Sequence, residues 1–279
     1  MTRDYLQAIA LIIIAMTLIT AGDTAGKLLG ADHGASPFYV AWSRFLIGAL
    51  AFLPFAGGFD GRIFLDWRIW LRALFIVCAI TSILTALKTE PIANVFAIFF
   101  VGPIISYFAS AILLGERVTL ARSALLLLGF VGVLFVVKPG SDMGVGAGFA
   151  LLAGIFYGSF LVASRWIAHV ARPRLMLLSQ LIIGSVLLTP LGFSEIPDMS
   201  QSIAVLTIIS ALGSAVGNLC LILAYRRSDA SKLAPFHYVQ LIAAAIFGVL
   251  IFGNWPDLFA LFGILLLLTS GFATLLLRR

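Results

Sequence analysis

Apolar runs of about twenty residues follow one another along the whole chain, with polar residues gathered in short clusters between them. The first run, "YLQAIALIIIAMTLI", passes directly into "TAGDTAGK", which sets an acid and a lysine inside an otherwise apolar stretch. A bilayer core of about 30 Å calls for roughly 20 residues of helix, and Gly, Pro and charge divide the chain into ten such segments. They fall near 6–29, 37–56, 69–88, 92–114, 119–138, 146–168, 175–193, 201–225, 231–253 and 257–277. The pattern predicts an all-α, polytopic membrane protein of ten transmembrane helices. The connections are too short for a nucleotide-binding domain and no P-loop pattern occurs, which argues against an ATP-driven pump on this chain.

Composition agrees with the pattern: 62% of the 279 residues are hydrophobic and only 11% are charged, against roughly 25% charged in soluble domains. A net charge of +6 would suit nucleic acid only if the basic residues formed a surface patch. They are scattered singly, so no nucleic-acid partner is expected. The first run follows a single Arg and is too long for the core of a cleavable signal, so it is expected to stay as a helix. Cys78 and Cys220 lie within apolar runs and read as buried hydrophobes. No cofactor or metal is expected. If the N-terminus is cytoplasmic, fourteen of the eighteen Lys and Arg fall on that side, with Arg62, Arg68 and Arg72 among them, and only Lys27, Lys88 and Lys138 fall outside. That bias predicts both termini in the cytoplasm. The remaining cation, Arg44, lies inside the second span.

The two halves of the chain resemble each other. "SRFLIGALAFLPF" aligns with "SQLIIGSVLLTPL" and pairs Ser43 with Ser179, Gly48 with Gly184 and Pro54 with Pro190 at an offset of 136. "TALKTEPIANV" aligns with "LAYRRSDASKL", and "LGERVTL" with "FGNWPDL", at an offset of 138. Residues 1–140 and 141–279 are therefore read as two five-helix repeats. Because five is odd, the second crosses the membrane upside down. Inverted repeats characterise secondary transporters, whose site lies near the midplane where the copies meet.

At these residues the sequence resembles the drug/metabolite transporter superfamily, in its EamA-type branch of ten-helix bacterial carriers. The resemblance rests on the ten-span layout, "GDTAGKLLG…SPFYVAWSRF", "VGPIISYFASAILLGERVTL" and "RRSDASKLAPFHYVQLIAAAIFGVLIFGNWPD", and it covers essentially the whole chain. Within the branch the chain looks like the YddG-type amino-acid exporters. The resemblance implies a multi-pass protein of the bacterial inner membrane that exports small metabolites, amino acids including aromatic or apolar ones. One departure is visible: Glu116 of "LGER" becomes Asn254 in the second repeat.

Helical spacing points to the faces that line a pathway. Thr17, Thr20, Thr24 and Lys27 make one stripe on helix 1, and Thr207, Ser210, Ser214 and Asn218 make one on helix 8. Gly22, Gly26 and Gly30 lie beside the first, and Gly213 and Gly217 beside the second, which suits close helix approach. Each stripe alone reads equally as packing; six helices in symmetry-related positions favour a pathway. The expected substrate contacts are Asp23, Arg44, Tyr157, Asn218, His237, Tyr238 and Gln240. His237 also reads as a core histidine, Tyr157 and Tyr238 as packing aromatics, and Lys27 and Lys88 as side chains snorkelling to the surface. By the repeat, His237 and Tyr238 correspond to Phe99 and Phe100, which would set an aromatic pair nearer the outside and a more polar pair nearer the inside. A charge at the centre of a span costs about 2.5–3.5 kcal/mol, so Asp23 and Arg44, at similar depth, are expected to pair; the other reading makes Asp23 a proton carrier. Helices 5 and 10 are apolar nearly all round and should face lipid or a second protomer. No HExxH or GxSxG pattern and no second acid beside Asp23 point to an enzyme. A receptor that binds without flux remains the other class.

Overall fold

The computed structural model describes residues 3–55, 61–90, 92–116, 118–137, 144–253, 255 and 258–276, and among them it is helical with no strand. The spans are α1 (Arg3–His33), α2 (Pro37–Phe52), α3 (Trp67–Thr89), α4 with α5 (Ile92–Phe99, Val101–Leu114), α6 (Leu120–Val137), α7 (Val145–Trp166), α8 (Pro173–Gly192), α9 (Gln201–Arg227), α10 with α11 (Ala230–Leu233, Val239–Phe252) and α12 (Leu258–Leu276). Local chemistry fixes several ends. Ser36, Asp66 and Ser200 cap α2, α3 and α9 by accepting from the backbone N–H of Phe38, Arg68 and Ile203. α5 and α11 both stop at a glycine in the left-handed region, Gly115 at φ 65° and Gly253 at φ 67°, and these are 138 residues apart, the offset that relates the repeats.

The fourth and ninth spans, expected as continuous helices, are each broken at the repeat-related positions Phe100 and Tyr238. Pro103 has no N–H to give to the Phe99 carbonyl, and its ring would crowd that oxygen, so α4 stops and α5 restarts. On the other side, Pro235 halts α10, and a 3-10 turn over Ala234–Tyr238 leads into α11. Discontinuous helices inside a bundle are tolerated where protein or a cavity covers the freed backbone.

The packing has the symmetry of inverted repeats. α1 lies along α9, and its counterpart α7 lies along α3; α2 pairs with its own counterpart α8, and α6 with α12. Close approach in the first pair rests on glycine: a methyl group on Gly22 would stand 2.9 Å from the Ser210 carbonyl oxygen, and one on Gly213 would stand 2.9 Å from that of Leu18. Two packing units result, one around α1 and α9 and one around α3 and α7, each built from both repeats. α6 and α12 cover one another on one side and present Leu127, Val131, Leu261 and Leu265 outward, an apolar face that suits lipid.

Candidate substrate site

Where the units meet, a cavity of about 30 Å³ is lined by Ile19 and Asp23 of α1, Arg44 of α2, Ile76, Ala79, Ile80 and Ile83 of α3, Phe99 of α4, Tyr157 of α7, Ser214 and Asn218 of α9 and Gln240 of α11. It brings together five of the seven expected residues. Asp23 and Arg44 form a buried ion pair, with Arg44 Nη1 donating to Asp23 Oδ1 at 2.6 Å. Arg44 is otherwise occupied too: Nε donates to Ser210 Oγ at 2.8 Å and Nη2 to the Gly22 carbonyl at 2.9 Å. Asn218 Nδ2 donates to the Ser214 carbonyl at 2.9 Å, which leaves Oδ1 free. Asn218 Oδ1, Gln240 Oε1 and the Tyr157 hydroxyl are buried without a hydrogen-bond partner.

His237 and Tyr238 stand behind this lining. His237 Nε2 shares a 2.9 Å hydrogen bond with the Tyr225 hydroxyl, and its ring meets Tyr157 edge-on with centroids 6.1 Å apart. The Tyr238 hydroxyl donates to the Leu126 carbonyl on α6 at 2.6 Å, and its ring packs on Phe100 at 5.3 Å. Phe99 in turn packs on Tyr157 at 4.8 Å. The two repeat-related pairs thus belong to one aromatic cluster at the helix breaks, and the expected separation into an outer and an inner pair is replaced by contact across the repeat interface.

Sequence reasoning missed the α3 wall, whose spacing of Ile76, Ala79, Ile80 and Ile83 carries a helical period but no polar mark. Thr20 and Thr24 of the helix 1 stripe donate to carbonyls one turn back on their own helix, so their hydroxyl protons are used there, whereas Ser214 and Asn218 of the second stripe line the cavity. Arg72, counted with the loop cations, is fully buried. Its Nε donates to Ser164 Oγ at 2.8 Å, Nη1 donates to the Met176 carbonyl at 3.2 Å, and the guanidinium lies 4.7 Å from the Phe160 ring centroid.

Lys27, read as snorkelling, instead donates to the carbonyls of Leu87 at 3.3 Å and Glu90 at 3.0 Å, at the C-terminus of α3. A C-terminal helix end favours a cation. At the opposite end, where α1 begins, Arg165 Nη1 donates to the Tyr225 carbonyl at 3.0 Å at the C-terminus of α9. Lys27 and Arg165 are 138 residues apart, as are Leu87 and Tyr225, so these are repeat-related clamps. Each ties the α1–α9 unit to the α3–α7 unit, and they lie at opposite ends. The Arg165 clamp is reinforced by Glu116 at 3.2 Å, by Asp229 at 2.6 Å and by the Lys232–Asp229 pair. Above it lies a surface depression of about 580 Å³ with Glu116, Arg165, Trp166, His169 and Arg226 in its walls. The repeat counterpart of Glu116, Asn254, lies outside the described residues.

Broken helices meeting between inverted repeats, at a small and largely apolar cavity that holds a few polar side chains, are the architecture of a polytopic carrier. The EamA-like transporter family model matches the chain twice, over residues 6–138 and 144–276. The chain belongs to the EamA-like transporter family, and it is a multi-pass membrane transporter of small metabolites. Relatives include the S-adenosylmethionine uptake transporter of Rickettsia prowazekii, 24% identical over 91% of this chain and 87% of that protein. The riboflavin transporter of Rhizobium johnstonii is 27% identical over 80% and 74%, and the pseudopaline exporter CntI of Pseudomonas aeruginosa is 26% identical over 72% and 70%. A solved crystal structure shares the fold with a TM-score of 0.81, at 20% identity and with 98% of each chain covered.

Proposed function

We propose that this protein is a secondary carrier of small, mostly zwitterionic metabolites, amino acids among them, that works by alternating access in the bacterial inner membrane. What carries the reading is one arrangement: a cavity at the repeat interface, mostly apolar with a buried ion pair and amides in its lining, and a repeat-related clamp at each end. Both clamps are made and the cavity is small, about 30 Å³, which is what a carrier closed at both ends would present. Breaking the Lys27 clamp would part the two units at one end, and breaking the Arg165 clamp would part them at the other. The charge bias makes the Lys27 end the outer one. Pathway chemistry argues against strongly anionic cargo, because Arg44, the one cation among the described lining residues, is already paired with Asp23. The relatives named for S-adenosylmethionine and pseudopaline, together with the apolar α3 wall, support an organic solute with an apolar portion.

The test is counterflow in liposomes holding the purified chain, with labelled L-phenylalanine, L-methionine, S-adenosylmethionine and riboflavin supplied in turn. A carrier gives saturable flux that is accelerated by unlabelled solute on the opposite side. Linear, unaccelerated flux would indicate a channel, and binding without flux a receptor. Loading from either side decides whether net movement is outward, the direction that the resemblance to amino-acid exporters implies.

A further inference from the structure

The buried side-chain atoms of the cavity lining that lack a hydrogen-bond partner are all oxygens. Each Arg44 nitrogen already has a partner, Nε on Ser210, Nη1 on Asp23 and Nη2 on Gly22, and Asp23 cancels its charge. What remains unpartnered is Asn218 Oδ1, Gln240 Oε1 and the Tyr157 hydroxyl, on residues 4%, 2% and 5% exposed. The orientation of the Asn218 amide is set by its own helix. Turning it over would bring Oδ1 against the Ser214 carbonyl, acceptor against acceptor, so Oδ1 is held away from that carbonyl on a residue that lines the cavity. Two of the three atoms can only accept a hydrogen bond, and the third, a phenol, can do so. Around them stand a carboxylate, Asp23, and the faces of Tyr157 and Phe99, which attract a cation electrostatically. Ile76, Ile80 and Ile83 form the opposite, apolar wall.

We propose, on the basis of the transport reading above, that the cavity recognises its substrate by a protonated amine, whose three N–H groups go to Asn218 Oδ1, Gln240 Oε1 and Tyr157 Oη while the apolar part of the solute lies on the α3 isoleucines. An ammonium has three donors and no acceptor, which matches the number and sign of the open groups. A carboxylate placed at these three atoms would meet only oxygen. Buried acceptors without partners are costly, so a donor-rich head is what this lining selects, whichever organic skeleton carries it.

The experiment uses the full chain in liposomes and four probes on one skeleton or charge series: L-phenylalanine, L-phenylalanine amide, N-acetyl-L-phenylalanine and riboflavin, each competing in counterflow of the best-carried solute of the panel above. The proposal expects the two amine-bearing probes to compete and the N-acetylated one to fail, although it keeps the ring and the carboxylate. Asn218→Leu and Gln240→Leu should each weaken the amine-bearing probes roughly tenfold in apparent affinity. Gln240→Glu, which restores an acceptor and adds a charge, should keep or strengthen them, a result that a purely structural role would not give. Leu127→Ala, on the outward face of α6, should leave affinity as it is. Competition by N-acetyl-L-phenylalanine or riboflavin equal to that of L-phenylalanine would overturn amine recognition and leave the transport reading standing. Absence of counterflow with every solute would overturn the transport reading, and this proposal with it.

Discussion

Arg44 holds three partners on two neighbouring helices, and Asp23 is the one that cancels its charge. Removing one member of a buried ion pair strands the other, which typically costs about 3–5 kcal/mol. Asp23→Leu should therefore lower unfolding free energy by about that amount, measured by denaturant titration in detergent. The double variant Asp23→Leu/Arg44→Leu should lose less than the sum of the two single losses; strict additivity would mean that the pair is not coupled. This pair was legible in the sequence, because two charges at one depth in apolar spans have few other ways to be accommodated. Arg72 was not. It stands near the start of α3, a position compatible with water, and only the packing of α7 and α8 over it reveals that it is enclosed. Lys27 was misplaced for a similar reason: a lysine near a span end points to the surface unless another helix presents its carbonyl terminus, as α3 does here.

At the scale of helices, glycine decides how close the units can come. A methyl group on Gly158 of α7 would stand 2.6 Å from the Gly102 carbonyl oxygen of α5, whereas one on Gly148 of the same helix meets nothing within 4 Å. Gly158→Ala should destabilise by about 1–3 kcal/mol, the usual cost of overpacking, and lower the thermal midpoint in detergent. Gly148→Ala should leave that midpoint unchanged or raise it, since alanine is the better helix former. Equal midpoints for the two variants would mean that α5 and α7 do not pack as closely as described. Span number and the inverted duplication were readable from hydrophobic period and the 136–138 offset. The breaks at Phe100 and Tyr238 were not, although Pro103 and Pro235 are their cause, because proline inside a transmembrane span kinks a helix as readily as it ends one. Without the breaks, the repeat alone sets Phe99 nearer the outside and His237 nearer the inside, and does not reveal that both pack on Tyr157.

The whole molecule has two ends, and the charge bias predicts which of them faces the cytoplasm. A cysteine at Asp198, exposed at the end away from the chain termini, should react with an impermeant thiol reagent applied to intact cells, and one at Arg172, exposed at the other end, should react only after the membrane is opened. The opposite result would reverse the orientation and, with it, which clamp is the outer one. The central claim, that the cavity opens to one side at a time under the control of the two clamps, is tested most directly by the reactivity of Ala79→Cys in the cavity wall. Cys78 and Cys220 are first replaced by alanine, and the protein is reconstituted with one orientation. Lys27→Ala should raise labelling by an impermeant reagent from the Lys27 end only, and Arg165→Ala from the Arg165 end only. Labelling that rises from both ends with either variant, or from neither, would contradict the account.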